Sequence, residues 1–257
     1  MPRPFVAVIL AAGEGRRMGS TLPKPLHEVA GRPMIDYVLD AVDLDGRRAT
    51  VVVVGHGGSA VADVARHHPT PGVVTVVQAE QLGTAHAVAT ALDAVTAALD
   101  GDDGDVLVAL GDTPLLRAPT LAALLTEHGR RGADVTVLSM VVADPTGYGR
   151  VVRDDRGDLE RIVEERDATP DERRLTEVNT GVLVARAHDL TLALARVGRA
   201  NAQGEYYLTD VVGEIRRAGG DAAAWCLDDP DEGVGVNDPG QLEYVRTVMD
   251  RRASTAE

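Results

Sequence analysis

Short apolar runs alternate with amphipathic stretches through the first half of the chain. Phe5–Leu10, Thr50–Val54, Val73–Gln78, Asp105–Leu110 and Val135–Val142 are rich in valine. Several are apolar at nearly every position, the pattern of strands buried on both faces. Between them, Pro33–Val42, Ser59–Arg66, Thr84–Leu99 and Pro119–His128 carry helical spacing. Pro33 and Pro119 suit a first helical turn, and Ser59 and Thr120 sit near plausible starts. Strand–helix alternation predicts an α/β fold with a parallel, doubly wound sheet. After about residue 143 the pattern changes. Gly149–Arg153 and Leu159–Glu165 flank Asp154-Asp155-Arg156-Gly157-Asp158, a hairpin signature. Further strands are expected at Gly181–Arg186 and Ala222–Leu227, and helices at Ala187–Arg196, Thr209–Arg217 and Pro239–Arg252. No Pro/Ser-rich linker divides the chain. One domain over residues 1–252 is expected, with a first half to 143, a smaller lobe over 144–252 and a frayed tail at 253–257.

The segment after the first strand, ILAAGEGRRMGSTLPKP, ends at Pro25. It offers bare backbone at Gly13 and Gly15, then Arg16 and Arg17, then Lys24 between two prolines. Past the carboxyl end of a strand, this is a cradle for a polyphosphate. Gly13-x-Gly15-x-x-Met18 half-matches a dinucleotide fingerprint, with methionine where the third glycine belongs. A turn with surface arginines is the ordinary alternative, and the proline-held Lys24 argues against it.

Asp112 follows the fourth strand in Leu110-Gly111-Asp112-Thr113-Pro114, where a carboxylate can share a magnesium ion with substrate phosphates. The alternative is a turn-capping aspartate. Asn237, in Gly235-Val236-Asn237-Asp238-Pro239, is a second oxygen ligand candidate, although a helix N-cap is its commoner use. Gln78-Ala79-Glu80-Gln81-Leu82-Gly83-Thr84-Ala85-His86 leaves a strand and opens a helix, a place where amides and backbone can read a nucleobase. Thr84 could equally cap that helix, and His86 reads as a packing or capping residue. In the second half, Tyr148-Gly149-Arg150, Glu164-Glu165-x-Asp167, Asn179-Thr180-Gly181 and Glu205 to Thr209 are rich in groups that bond sugar hydroxyls. A solvated hairpin face is the alternative for the acids.

Composition narrows the ligand. A net charge of −14 leaves no general nucleic-acid or anionic-membrane surface, so an anionic guest depends on local cations and a metal. Cys226 is the only cysteine, which excludes an internal disulfide. The apolar run Phe5–Ala12 is too short to span a membrane and has its basic pair on the wrong side for a signal peptide. A cytoplasmic protein is expected. No G-x-S-x-G elbow and no zinc spacing occurs.

Taken together, LAAGEGRRM…LPKPLHEVAGRPM, QAEQLGTAHAV, ADPTGYGRVV, IVEERDAT, EVNTGVLV and NAQGEYYLTDVV strongly resemble the uridylyltransferase domain of the bacterial N-acetylglucosamine-1-phosphate uridylyltransferases. The resemblance runs from Val6 to about Leu242. It implies a Rossmann-like mixed sheet of the nucleotide-diphospho-sugar transferase type with a small sugar-binding β-rich lobe. It further implies UTP and a sugar 1-phosphate as substrates and Mg²⁺ as cofactor. By position, Arg17 and Lys24 would hold the triphosphate and departing pyrophosphate. Leu10, Ala12, Gly13, Gln78, Gly83 and Thr84 would surround uridine. Asp112 and Asn237 would ligate the metal. Gly149, Glu164, Asn179 and Tyr207, with Thr209 nearby, would hold the amino sugar. Glu14, Arg16, Ala85, Leu110 and Asp238 depart from residues common in relatives. Family members usually continue into a left-handed β-helix that transfers an acetyl group and forms a trimer; this sequence ends at Glu257, and neither property is expected of it. The rival expectations are transfer to a different sugar 1-phosphate or from another NTP, a non-catalytic nucleotide-sugar binding protein, and a nicotinamide-dependent dehydrogenase.

Overall fold

The computed structural model describes residues 3–13 and 15–255. Strand β1 (Phe5–Ala11) opens the chain, and the loop after it carries two 3₁₀ turns, Arg16–Met18 and Lys24–Leu26. A small ribbon, β2 (Glu28–Val29) with β3 (Arg32–Pro33), leads into α1 (Met34–Ala41). Then follow β4 (Arg47–Gly55), α2 (Ser59–His67), β5 (Val73–Gln78), α3 (Thr84–Leu99), β6 (Asp105–Leu110), α4 (Ala118–Arg131) and β7 (Val135–Val141). The second part contains β8 (Arg150–Arg153), β9 (Leu159–Val163), β10 (Glu177–Arg186), α5 (Ala187–Leu194), α6 (Asp210–Arg217), β11 (Ala222–Cys226) and α7 (Pro239–Thr255).

Among the described residues, nine strands form one sheet, in the order β11-β7-β10-β6-β1-β4-β5, with the β8–β9 hairpin attached to β10. β1 runs parallel to both β4 and β6, and β4 to β5. β10 enters antiparallel between β6 and β7, which makes the sheet mixed. The chain leaves β1 toward β4 and β5, then returns to β1's other side as β6. The β1/β6 boundary is therefore the switch point, where open α/β sheets bind ligands.

Odd and even positions of the strands feed two separate cores. Val6 and Val8 face α3, α5 and α6, whereas Phe5, Ala7 and Ile9 face α1, α2 and α4. With one Phe in the chain, these layers are built from Val, Leu and Ala. A third cluster packs Met18, Val29, Met34 and Leu115 against Leu242, Val245 and Val248 of α7. Met18, the residue in the expected glycine position, is thus an anchor that pins the β1 loop to the C-terminal helix.

The expected elements form, with instructive differences at their ends. β10 begins four residues before Gly181, because a bulge between Asn179 and Leu183 breaks the alternation that would reveal a strand. α6 starts at Asp210, with Thr209 in its N-cap position. Thr120 lies in the first turn of α4, which starts at Ala118. α7 continues to Thr255, past the expected end at Arg252.

Candidate active site

The corner proposed from the sequence for phosphate lies at the ends of β1 and β6. The Gly111 N–H donates to the Leu10 carbonyl at 2.9 Å, locking the two strand ends together. Beyond them the β1 loop folds back on itself at Gly15. That residue has φ +62°, and a Cβ there would stand 2.9 Å from Lys24 Cβ, so the close approach needs glycine. Gly13 is exposed, and Glu14 lies outside the described residues. Arg17 sits on the first 3₁₀ turn, exposed and without a partner among the described residues.

Lys24 is far from free. Pro25 and Leu26 are buried beside it, and its ammonium contacts Asp112 Oδ2 and donates to Asn237 Oδ1 at 3.1 Å. Residues 24, 112 and 237 thus meet at one point. The Val236 N–H donates to the Asp112 carbonyl at 2.9 Å, which aligns the two outer segments. Asn237 does not cap α7. Its neighbour Asp238 does, accepting the Gln241 N–H at 2.9 Å. Gln241 in turn accepts the Asn237 N–H at 2.7 Å. Asn237 therefore keeps its side-chain oxygen for the site.

Asp112 Oδ1 is buried without any hydrogen-bond partner. A buried, unpaired carboxylate oxygen is costly unless something else satisfies it. No group of three or more acidic, His or Cys residues able to hold a metal occurs among the described residues. One carboxylate and one amide oxygen suit a hard cation that takes its remaining ligands from phosphates and water.

At the corner expected to meet a nucleobase, Gln78 ends β5 and is buried. Its amide nitrogen donates to the Gly83 carbonyl at 3.1 Å and lies 2.9 Å from His86 Nδ1. His86 is therefore neither a cap nor only packing. Thr84 does not cap α3 either; its hydroxyl accepts the Leu208 N–H at 2.9 Å. Gly83 has φ +117°, and a Cβ would come within 2.4 Å of the Tyr206 carbonyl. The Tyr206 N–H donates to Leu82 at 2.8 Å, and the Ala85 N–H donates to Tyr206 at 2.9 Å. The base loop and the Glu205–Thr209 segment are thus zipped together by their backbones.

A third corner gathers the candidates expected to hold a sugar. The Asn179 N–H donates to the Gly149 carbonyl at 2.8 Å across β10 and the start of β8. A Cβ on Gly149 would lie 3.6 Å from both Glu164 carboxylate oxygens. Thr209 donates to Glu164 at 2.9 Å, and Tyr207 to Asp167 at 3.3 Å. Burial holds the Glu164 carboxyl above its usual range, with the Thr209 hydroxyl working against it. Burial, then the Asp167 and Glu164 charges, pushes the Tyr207 phenol up to about 12. Tyr148 borders both corners: burial, then the Asp112 charge, raises its phenol.

Four supporting residues escaped the sequence reading. Gln81 donates its amide to the Ala12 carbonyl, tying base loop to phosphate loop. Arg150, almost fully buried, binds the Tyr148 carbonyl and Glu165. Glu232, also buried, accepts from the Arg117 guanidinium and the Thr120 hydroxyl. Gln241 braces Asn237. Gln81 and Arg150 stood inside recognised motifs; Glu232 and Gln241 carried no local signal at all.

Residues 7–189 match the MobA-like NTP transferase domain family. The chain belongs to that family. Within it, the chain is 49% identical over 249 residues to the bifunctional protein GlmU of Pelotomaculum thermopropionicum and 46% identical over 248 residues to that of Trichlorobacter lovleyi. The matches cover 96% of this chain but 52% and 53% of those proteins, so this transferase domain spans about half the length of the curated relatives it matches. The crystal structure of UDP-glucose pyrophosphorylase complexed with UDP-glucose shares its fold, with a TM-score of 0.75 over 97% of this chain and 99% of that one at 14% identity. The mixed sheet expected from the sequence is that fold. No helix among the described residues is long and apolar enough to cross a membrane.

Proposed function

We propose that this transferase domain makes UDP-N-acetylglucosamine and pyrophosphate from UTP and N-acetylglucosamine 1-phosphate. The observation that carries the reading is the meeting of Lys24, Asp112 and Asn237 at the switch point, with Arg17 unpaired on the adjoining loop. The relatives are GlmU proteins, and a uridine nucleotide-sugar enzyme shares the fold.

The acceptor's phosphate oxygen forms a bond to the α-phosphorus as the bond to pyrophosphate breaks. No general base is required, because a phosphate monoester with second pKa of about 6 is largely dianionic at neutral pH. The protein's task is to hold two anions in line and to neutralise charge on the leaving group. Arg17 and Lys24 serve the triphosphate. Asp112 and Asn237 would hold Mg²⁺, which supplies charge neutralisation between the two phosphates. Leu10, Ala12, Gly13, Gln78, Gly83 and Thr84 line the uridine side. Gly149, Glu164, Asn179, Tyr207 and Thr209 receive the amino sugar, the half-buried Glu164 carboxylate accepting from its hydroxyls. A cytoplasmic site of action fits these substrates.

The test is pyrophosphate release across a panel of NTPs and sugar 1-phosphates. UTP with N-acetylglucosamine 1-phosphate is expected to give the highest kcat/KM. A higher value for another pair would reassign the substrates, and UTP binding without pyrophosphate from any acceptor would make the domain a sensor.

A further inference from the structure

Gln78 is 3% exposed, and its amide orientation is fixed by logic as well as by distance. The Gly83 carbonyl can only accept, so the amide nitrogen must face it. The second hydrogen of that nitrogen then points to His86 Nδ1, 2.9 Å away. That ring nitrogen must then be the acceptor of the pair. Both donors of the Gln78 amide are therefore consumed inside the protein. Its Oε1 has no donor among the described residues.

The ring of His86 is itself held. It stacks on Tyr206 with centroids 6.4 Å apart and planes at 28°, and the Arg199 guanidinium covers Tyr206 at 5.5 Å. Tyr206 is fixed by the backbone zipper to Leu82 and Ala85.

We propose that His86 is a positioning residue that sets the hydrogen-bond polarity of Gln78 and, through it, the choice of base. The inference rests on the uridylyl-transfer reading above. With its nitrogen locked inward, Gln78 offers the nucleotide an acceptor only. An imide N–H, as in uracil, complements it. The N3 lone pair of cytosine opposes it. Turning the amide over would set Oε1 against two acceptors, the Gly83 carbonyl and His86 Nδ1. Loss of the imidazole acceptor removes one of those two barriers and lets the amide present its NH₂ to cytosine.

The experiment measures kcat/KM for UTP and CTP with the same sugar 1-phosphate in wild type, His86→Phe and His86→Asn. Phenylalanine keeps the stack on Tyr206 and loses the acceptor; asparagine keeps a δ acceptor and loses the stack. The UTP/CTP ratio is expected to fall about five- to tenfold in His86→Phe, the weight of one neutral hydrogen bond, and to return to within about twofold of wild type in His86→Asn. If His86→Phe does not fold, His86→Leu makes the same comparison. A ratio unchanged in His86→Phe, or equal losses for both nucleotides, would overturn the role of His86 while wild type still prefers UTP. A wild type with no preference for UTP would overturn the uridylyl reading and this inference with it.

Discussion

At the phosphate corner, Lys24, Asp112 and Asn237 come from three distant segments and partner one another directly. At the other corner, Glu164, Asp167, Tyr207 and Thr209 come from two segments and place two carboxylates together, neither with an ion pair among the described residues. On the proposed reading, the first corner is matched to charge that arrives with the ligand. The second then tolerates unfavourable charge and offers acceptors to a neutral sugar. The difference teaches where each kind of substitution should be felt: in turnover at the first, in acceptor binding and stability at the second.

The largest effect is expected from Asp112→Ala, which removes the buried carboxylate. Turnover should fall by at least about 10³-fold, and a magnesium titration should no longer restore it. Lys24→Ala and Arg17→Ala should each lower kcat by roughly 10²- to 10³-fold, the usual loss for one preorganised donor. Lys24 allows a finer test, because its ammonium holds Asp112 Oδ2 and Asn237 Oδ1, on the two residues proposed to bind the metal. Lys24→Met should therefore bind Mn²⁺ alone, without nucleotide, about five- to tenfold more tightly by calorimetry. Weaker binding there would separate the lysine from the metal ligands.

Glu164→Gln tests the other corner, and KM for the sugar phosphate should rise about tenfold with kcat less affected. Its stability should move the opposite way. The folded-state pKa of Glu164 is raised, so its carboxylate costs stability above the unfolded value and nothing below it. The variant should melt higher than wild type near neutral pH, and the gap should close as pH falls toward about 4. The smallest effect belongs to Tyr207→Phe. Its bond to Asp167 is long, and a change in KM of less than about threefold is expected.

Much of this was legible in the sequence because its signals were local. Val-rich runs marked β1, β4, β5, β6 and β7, and the proline-framed Lys24 marked itself as fixed. The segments that meet at the candidate site were visible as clusters of polar groups beside glycines. What stayed hidden depended on distant partners. No spacing connects Asn237 to Lys24, and the capping role goes to Asp238 only once α7 is in place. Glu232 looked like one more surface acid in an acidic chain, yet it is buried against α4. The bulge in β10 concealed half a strand, since Asn179-Thr180-Gly181 reads as a turn.

The contribution of Asn237 also bears on the order of events during synthesis. A ribosome delivers the domain from its N-terminus at roughly 5–20 residues per second. The glycine loop, the Gln78 platform and Asp112 have all emerged before the halfway point. Asn237, and the α7 side chains that seat Met18, follow much later. A nascent chain can therefore hold Lys24 and Asp112 while lacking Asn237, the residue that joins them. On the proposed reading, turnover is expected only once α7 has docked.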